Sequence, residues 1–190
     1  MKYFYEDEQK VGSLVDAIRN RVSMHKNLYS SPIKAELWEE VLHRSFKDIG
    51  IVTDWQPDGN HKVGVDMTLE SGERVSCKTG SFNNSDLTIS GSRLTKHKSL
   101  SAKIAFISDK KEDTYALLSR DKEDKQGENY KLIMFPSSML NYGQLNWYGD
   151  KNYRASSNLL ECSIQHSMSD QLWTKIKDFE NQEKIVCIDI

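Results

Sequence analysis

The chain has 190 residues, 37% of them apolar and 28% charged, with a net charge of −2. That composition fits a soluble globular chain with one substantial core. It excludes a disordered chain and a wholesale basic coat, and no apolar run approaches the ~20 residues that a bilayer span needs. Cys77, Cys162 and Cys187 lack metal-ligand spacing and suit a reducing compartment better than a disulfide framework. The opening M-K-Y-F-Y-E-D-E-Q-K turns acidic at once and has no signal-peptide apolar core. A cytoplasmic location and no membrane partner are therefore expected.

Residues 6–27 are predicted to form a helix, with Val11, Leu14, Val15, Ile18 and Val22 at helical spacing. Arg19, Arg21 and Lys26 suit its C-terminal half and read as solvated. Y-S-S-P at 29–32 is a break, with Ser31 as N-cap and Pro32 as first residue of a second helix running to Asp48. Ile33, Leu37, Trp38, Val41, Leu42 and Phe46 make its buried stripe, and Gly50 closes it. Glu39 lies at the margin of that stripe, Glu36 nearly opposite it, and Glu40 beside them. Residues 51–55 are predicted as a strand, followed by the polar turn Q-P-D-G-N. His61 and Lys62 then stand where they could touch a phosphate.

Residues 59–80 are predicted to form a β-hairpin. Val63, Val65, Met67 and Leu69 alternate with other residues, and E-S-G-E supplies the reversal. Arg74 to Lys78 returns as a short strand, with Val75 and Cys77 on one face and Arg74, Ser76 and Lys78 on the other. Pairing brings Asp66 beside Ser76 and Lys78. A carboxylate and an ammonium held together can bind a divalent cation and steady an attacking water. Without that context, Lys78 is an ordinary strand-end lysine and Asp66 a solvated acid.

Asp66 followed by Ser76-Cys77-Lys78 resembles the core of the PD-(D/E)xK nuclease superfamily, the restriction-endonuclease-like fold. G-x-D before a V-x-C-K strand is most similar to the methyl-directed and related type II restriction enzymes. Trp38-Glu39 and Gly50 resemble the aromatic-Glu pair and terminal Gly of a helix in that family. The chain departs from the pattern at Ser76, where an acid or Gln is usual. The resemblance implies that Asp66 binds Mg²⁺, with the main-chain carbonyl of Cys77 as a further ligand. It implies that Lys78 orients the water, and that Ser76 holds a ligand water or binds weakly. Glu39 is the candidate for the missing carboxylate, with Glu36 or Glu40 in reserve.

Residues 81–101 are rich in Ser, Thr and Asn, with Arg93, Lys96, His97 and Lys98 clustered. Hydroxyls such as Ser90 and Ser92 beside these bases suit phosphate and base-edge contacts, although a solvated loop and amphipathic helix would read the same. Residues 104–108, 115–118, 130–135, 160–166 and 185–190 are predicted as strands, 120–128 as a charged hairpin tip or mobile loop, and 170–179 as a last helix capped by Ser169. Residues 141–158 carry Trp147, Tyr148, Tyr153 and Arg154, a surface for nucleic acid or a second subunit, or anchors for the loop itself.

The expected fold is α/β (α+β), one domain over 1–190 with a central mixed sheet flanked by helices. The expected function is a Mg²⁺-dependent endonuclease acting on double-stranded DNA, a restriction enzyme working as a two-fold homodimer on a short palindrome. The dimer interface falls to residues 6–27 or to the loop from 141. A non-cleaving DNA-binding protein on a nuclease fold, a repair or junction-resolving nuclease, and a protein-interaction module stay open.

Overall fold

The structure is a computed structural model that describes residues 3–57, 64–124, 129–165 and 170–190. Asp7 starts the first helix, α1 (Glu8–Leu28), by accepting the Lys10 N–H on its side chain. The five apolar residues at helical spacing are its buried ones. The second helix, α2 (Ala35–Asp48), begins later than Ser31-Pro32 would have it, with Lys34 as its extended N-cap. The reason is Ile33. It is buried, and its N–H donates to the Tyr130 hydroxyl at 3.3 Å, which holds the chain extended there. Trp38, Val41, Leu42 and Phe46 form the buried face of α2, and Gly50, at φ +79°, ends it.

The strands are β1 (Met67–Thr68), β2 (Arg74–Asn83), β3 (Asp86–Arg93), β4 (Thr114–Asp121), β5 (Tyr130–Pro136), β6 (Asn152–Ser156), β7 (Leu160–Gln165), β8 (Gln171–Ile176) and β9 (Val186–Asp189). Among the described residues they form one mixed sheet in the order β6-β7-β8-β3-β2-β4-β5-β9, with β1 added on β2. β2 and β4 are parallel, and a third helix, α3 (Leu100–Ser108), lies on the crossover between them. The mixed sheet flanked by helices is the expected fold class.

One core lies between α1–α2 and one sheet face, with Val75, Cys77, Ala116, Leu118, Leu132 and Met134 facing the helices. The other lies on the opposite face, built from Leu87, Ile89, Leu117, Ile133, Phe135 and Leu172 with Ile107 of α3. Burying each Val, Leu, Ile, Phe or Met side chain among them is worth about 1.5–3 kcal/mol. Trp38 is fully buried and donates its indole N–H to the Ala116 carbonyl at 3.1 Å, pinning α2 across the sheet. Among the described residues, none from β3, β8, β7 or β6 joins the core against α1 and α2.

Several expectations are corrected. Residues 104–108 belong to α3, not to a strand, because Ser99 caps a helix there by accepting the Ala102 N–H. Residues 170–179 hold no α-helix. Leu172, Thr174 and Ile176 are buried while Trp173 is exposed, a period of two, which makes the segment β8. The proposed cap Ser169 lies outside the described residues. Residues 51–55 make only an isolated bridge, Thr53 to Leu69. There the Asp54 side chain accepts the Thr68 N–H, taking a donor that a ladder would use. Val63 of the first hairpin strand lies outside the described residues, from 64 on that strand is only β1, and the second extends to Asn83. Its reversal into β3 uses Asn84, a non-glycine residue at φ +50°.

Arg19 and Arg21 are not merely solvated. Arg21 pairs with Asp48 of α2, and Arg19 Nη2 donates to the main-chain oxygen of Asp189 in β9 at 2.8 Å. The three cysteines are free thiols. No helix among the described residues is long and apolar enough to cross a membrane.

Candidate active site

The site arises from a split in one edge of β2. On one side β2 is paired with β4 from Val75 through Phe82. On the other, β1 pairs with Arg74 and Val75, and β3 pairs from Gly80 onward. Between them residues 76–79 face a gap, and Asp66 enters it. Its own N–H donates to the Val75 carbonyl at 2.9 Å, so the main chain is still in register as the side chain turns in.

Asp66 Oδ2 collects three donors there: the Cys77 N–H at 2.6 Å, the Ser76 hydroxyl at 3.1 Å and Lys78 Nζ at 3.3 Å. Charge-assisted bonds of this kind are the stronger ones. The N–H and carbonyl of one strand residue point to the same edge, so the Cys77 carbonyl also faces the gap. The side chains of Lys78 and Asp66 keep 27% and 16% of their exposure, enough for a solvent-borne ligand to reach them.

Ser76 and Lys78 point to the sheet face opposite α2. There they line a cavity of about 250 Å³. Asp66 is not among its walls and meets it through those two residues. Three residues not singled out from the sequence complete it. Tyr115 of β4 is the register partner of Ser76. Its hydroxyl donates to Glu112 Oε1 at 2.5 Å and accepts from Lys110 Nζ at 3.1 Å. Glu112 Oε2 accepts the Lys111 N–H, and would lie 3.2 Å from a Cβ placed on Gly64, two residues before Asp66. Gly64 sits at φ +83°, so a side chain there meets backbone strain as well.

Burial sets the electrostatics. It lowers the Lys110 ammonium to a pKa of about 8, with Glu112 opposing the shift. The rings of Tyr142 and Tyr115, 4.5 and 5.0 Å from Nζ, hold the charge by cation–π attraction. Burial pushes the Tyr115 phenol well up, with the negative charges of Glu112 and Asp66 adding to it. Burial also pushes up the Cys77 thiol; Asp66 and, less strongly, Glu39 add to it while Lys78 opposes. Glu39 thus lies within electrostatic reach of the Cys77 thiol, on the α2 side of the sheet. Glu40 faces away and pairs with Arg44 at 2.7 Å, and Glu36 is exposed.

The expected DNA-contact residues divide. Ser92 lines the cavity with Lys78. His97 packs its ring at a tilt of 30° against Phe106, another wall residue, at 4.4 Å between centroids. Arg93, Lys96 and Lys98 are exposed on the segment that leads from the cavity rim to α3. Ser90 is not with them. It shares the opposite sheet face with Trp173, and its hydroxyl accepts from Gln171. His61 and Lys62 lie outside the described residues. Trp147 and Tyr153 pack into the body, Trp147 donating to the Tyr142 carbonyl at 3.1 Å, while Tyr148 and Arg154 stay exposed.

The only sequence signal for Lys110 and Glu112 was their place in a charged turn, D-K-K-E-D, just before a predicted strand. Among the described residues no group of three His, Cys, Asp or Glu side chains is arranged to hold a metal ion. The chain matches no protein-family model and no curated protein.

Proposed function

We propose that the chain is a Mg²⁺-dependent DNA endonuclease, a cytoplasmic type II restriction enzyme of the PD-(D/E)xK kind. The observation that carries this reading is the convergence of Lys78, Ser76 and the Cys77 N–H on Asp66 Oδ2 at an open strand edge beside a cavity. The donor set suits Mg²⁺, a hard ion that takes one or two carboxylates and keeps several waters. Asp66 and the Cys77 carbonyl would hold it, with Glu39 approaching from α2 as the second carboxylate. When bound, the ion supplies positive charge at the attacked phosphate and an acidified water.

Lys78 has two tasks in this reading. It holds Asp66 in place, and its ammonium stabilises the charge that grows on the phosphate oxygens as water attacks. Ser76 fixes the Asp66 carboxylate by donating to it, and a hydroxyl there can hold a ligand water. Arg93, Lys96 and Lys98 provide cations along the DNA backbone, where lysines act through counterion release and arginine can also read guanine.

One site cuts one strand, and the two strands of a duplex are related by a local two-fold axis. A two-fold homodimer therefore cuts both strands of a palindrome. Of the two candidate interfaces, α1 is the better supported. Met24, Leu28 and Tyr29 stand exposed together at its end, whereas in the aromatic loop Trp147 and Tyr153 are turned inward and leave Tyr148 exposed.

The test is incubation of the purified protein with plasmid and bacteriophage DNA, in Mg²⁺ and in chelator. Discrete fragments in Mg²⁺ alone are expected. A smear points to a nonspecific or repair nuclease, and retardation without cutting to a DNA-binding protein on a nuclease fold. Light scattering at micromolar protein, with and without DNA, tests the dimer.

A further inference from the structure

The cavity beside Lys78 extends beyond what phosphodiester hydrolysis requires. Phosphate contact needs only the open edge at Asp66 and Lys78. The space behind it reaches between β2, β3 and β8 on one side and α3 and the 109–112 turn on the other. At about 250 Å³ it has room for about eight waters at ~30 Å³ each. That is just below the usual range for small-molecule pockets, roughly 300–1,000 Å³.

Its walls are of two kinds. Phe106, Tyr142 and Leu172 offer apolar surface, while Ser92, Lys110 and Glu112 offer donors and acceptors. A second phosphate fits this lining poorly. It would meet the Glu112 carboxylate as well as Lys110, and apolar walls give it nothing in exchange for its hydration. A flat, uncharged heterocycle fits better. Its faces use the apolar walls, its edge uses the mixed polar groups, and it tolerates a cation and an anion at once.

We infer that the cavity receives one nucleobase, rotated out of the duplex from the strand whose phosphate lies at Asp66 and Lys78. This rests on the nuclease reading, which puts a DNA backbone at the cavity mouth. A base still in its stack cannot enter a recess lined by four strands and a helix. Extrusion takes a few kcal/mol of unstacking, so the pocket selects bases that pair or stack weakly. It would therefore add sequence or mismatch preference at one position, apart from anything Arg93 reads.

The test uses duplex DNA fragments with Ca²⁺ in place of Mg²⁺. Retained complexes are probed with chloroacetaldehyde for unpaired adenine and cytosine and with permanganate for unpaired thymine. Turning one base out leaves its partner unpaired, so, with kethoxal added to detect unpaired guanine, one position per bound half-site should become reactive. Leu172→Trp and Ser92→Trp fill the cavity. Ser92 is exposed, so its variant keeps the fold even where the Leu172 variant does not. In the filled proteins that reactivity should fall about tenfold, the loss expected for one base's stacking contacts. Retained wild-type complexes without an unpaired base overturn the pocket and leave the nuclease reading standing. Equal reactivity in the folded filled variant also overturns it. Failure to retain any duplex overturns both.

Discussion

Two acid–lysine pairs border one cavity, and they are built differently. Asp66–Lys78 sits on an open strand edge at 3.3 Å, each partner partly exposed. Glu112–Lys110 is 3.8 Å apart, sunk behind two tyrosines, with the Glu112 side chain at only 7% exposure. In the first pair several donors point at one carboxylate oxygen, which leaves charge available to a ligand. In the second the carboxylate is shared among a phenol, a backbone N–H and an ammonium, and its partner's charge is disfavoured by burial. An accessible pair suits chemistry, whereas an enclosed pair suits the shape of a wall. Proximity to a cleft does not distinguish them; solvent access and bonding do.

The largest test of that contrast is removal of the open pair. Lys78→Ala or Asp66→Asn should reduce DNA cleavage by about 10²–10³-fold or more, the scale of losing a charge-stabilising group, with the melting temperature little changed. Wild-type cutting rates in Lys78→Ala would end the assignment. The buried pair should behave in the opposite way. Glu112→Gln leaves Lys110 buried without its carboxylate and should destabilise the fold by about 1–3 kcal/mol in chemical denaturation. A Glu112 variant that cuts poorly yet melts normally would instead move this residue into the chemistry. Glu39→Gln should raise the Mg²⁺ requirement without altering stability, and Glu36→Gln should do less. A titration of cleavage rate against Mg²⁺ separates them.

Lys110 also predicts a pH dependence. Its folded pKa of about 8 lies below the ordinary 10.5, so between those values the unfolded chain binds more protons. This group's penalty is therefore fully present below pH 8 and is relieved as pH rises toward 10.5. Lys110→Met should stabilise the protein at pH 7 by less than that penalty, under about 1 kcal/mol, since it also leaves the buried Glu112 carboxylate without its cation and loses the attraction to the two tyrosine rings. Melting curves at pH 7 and 10 should show that gain shrinking at the higher pH. A constant gain would mean that Lys110 is not held against its charge.

The smallest effects belong to the exposed cations. Arg93→Ala should lower discrimination among sequences by about 1–3 kcal/mol, whereas Lys96→Ala with Lys98→Ala should flatten the salt dependence of binding. An unchanged salt slope would place the DNA surface elsewhere.

The pattern of what the sequence disclosed follows interaction range. α1 and α2 were readable because their apolar residues repeat at helical spacing over several turns. Asp66, Ser76 and Lys78 were readable as a cluster because a local hairpin joins them. Tyr115, and with it Lys110 and Glu112, reaches the cavity by parallel pairing of β4 with β2, which local spacing does not encode. β8 was misread because Q-L-W-T-K-I places apolar residues compatibly with either period, and burial on one sheet face decides it. α3 was misread because its apolar window is too short to display a period, and the Ser99 cap decides it instead.

The Arg19 contact to β9 has a consequence for how the molecule keeps to itself. β9 ends the sheet on one side. Ile190 N–H donates back to Tyr130, so the Asp189 carbonyl points outward, where another chain's strand would take it. The guanidinium of Arg19 occupies that acceptor, and β9 is only four residues long. Short, blocked borders of this kind are how sheets resist templating one another into aggregates. A homodimer of the proposed kind would accordingly form by packing of side chains and not by joining two sheets through β9, and Arg19→Ala would leave the candidate site at Asp66 and Lys78 intact while making the protein more prone to precipitate on storage.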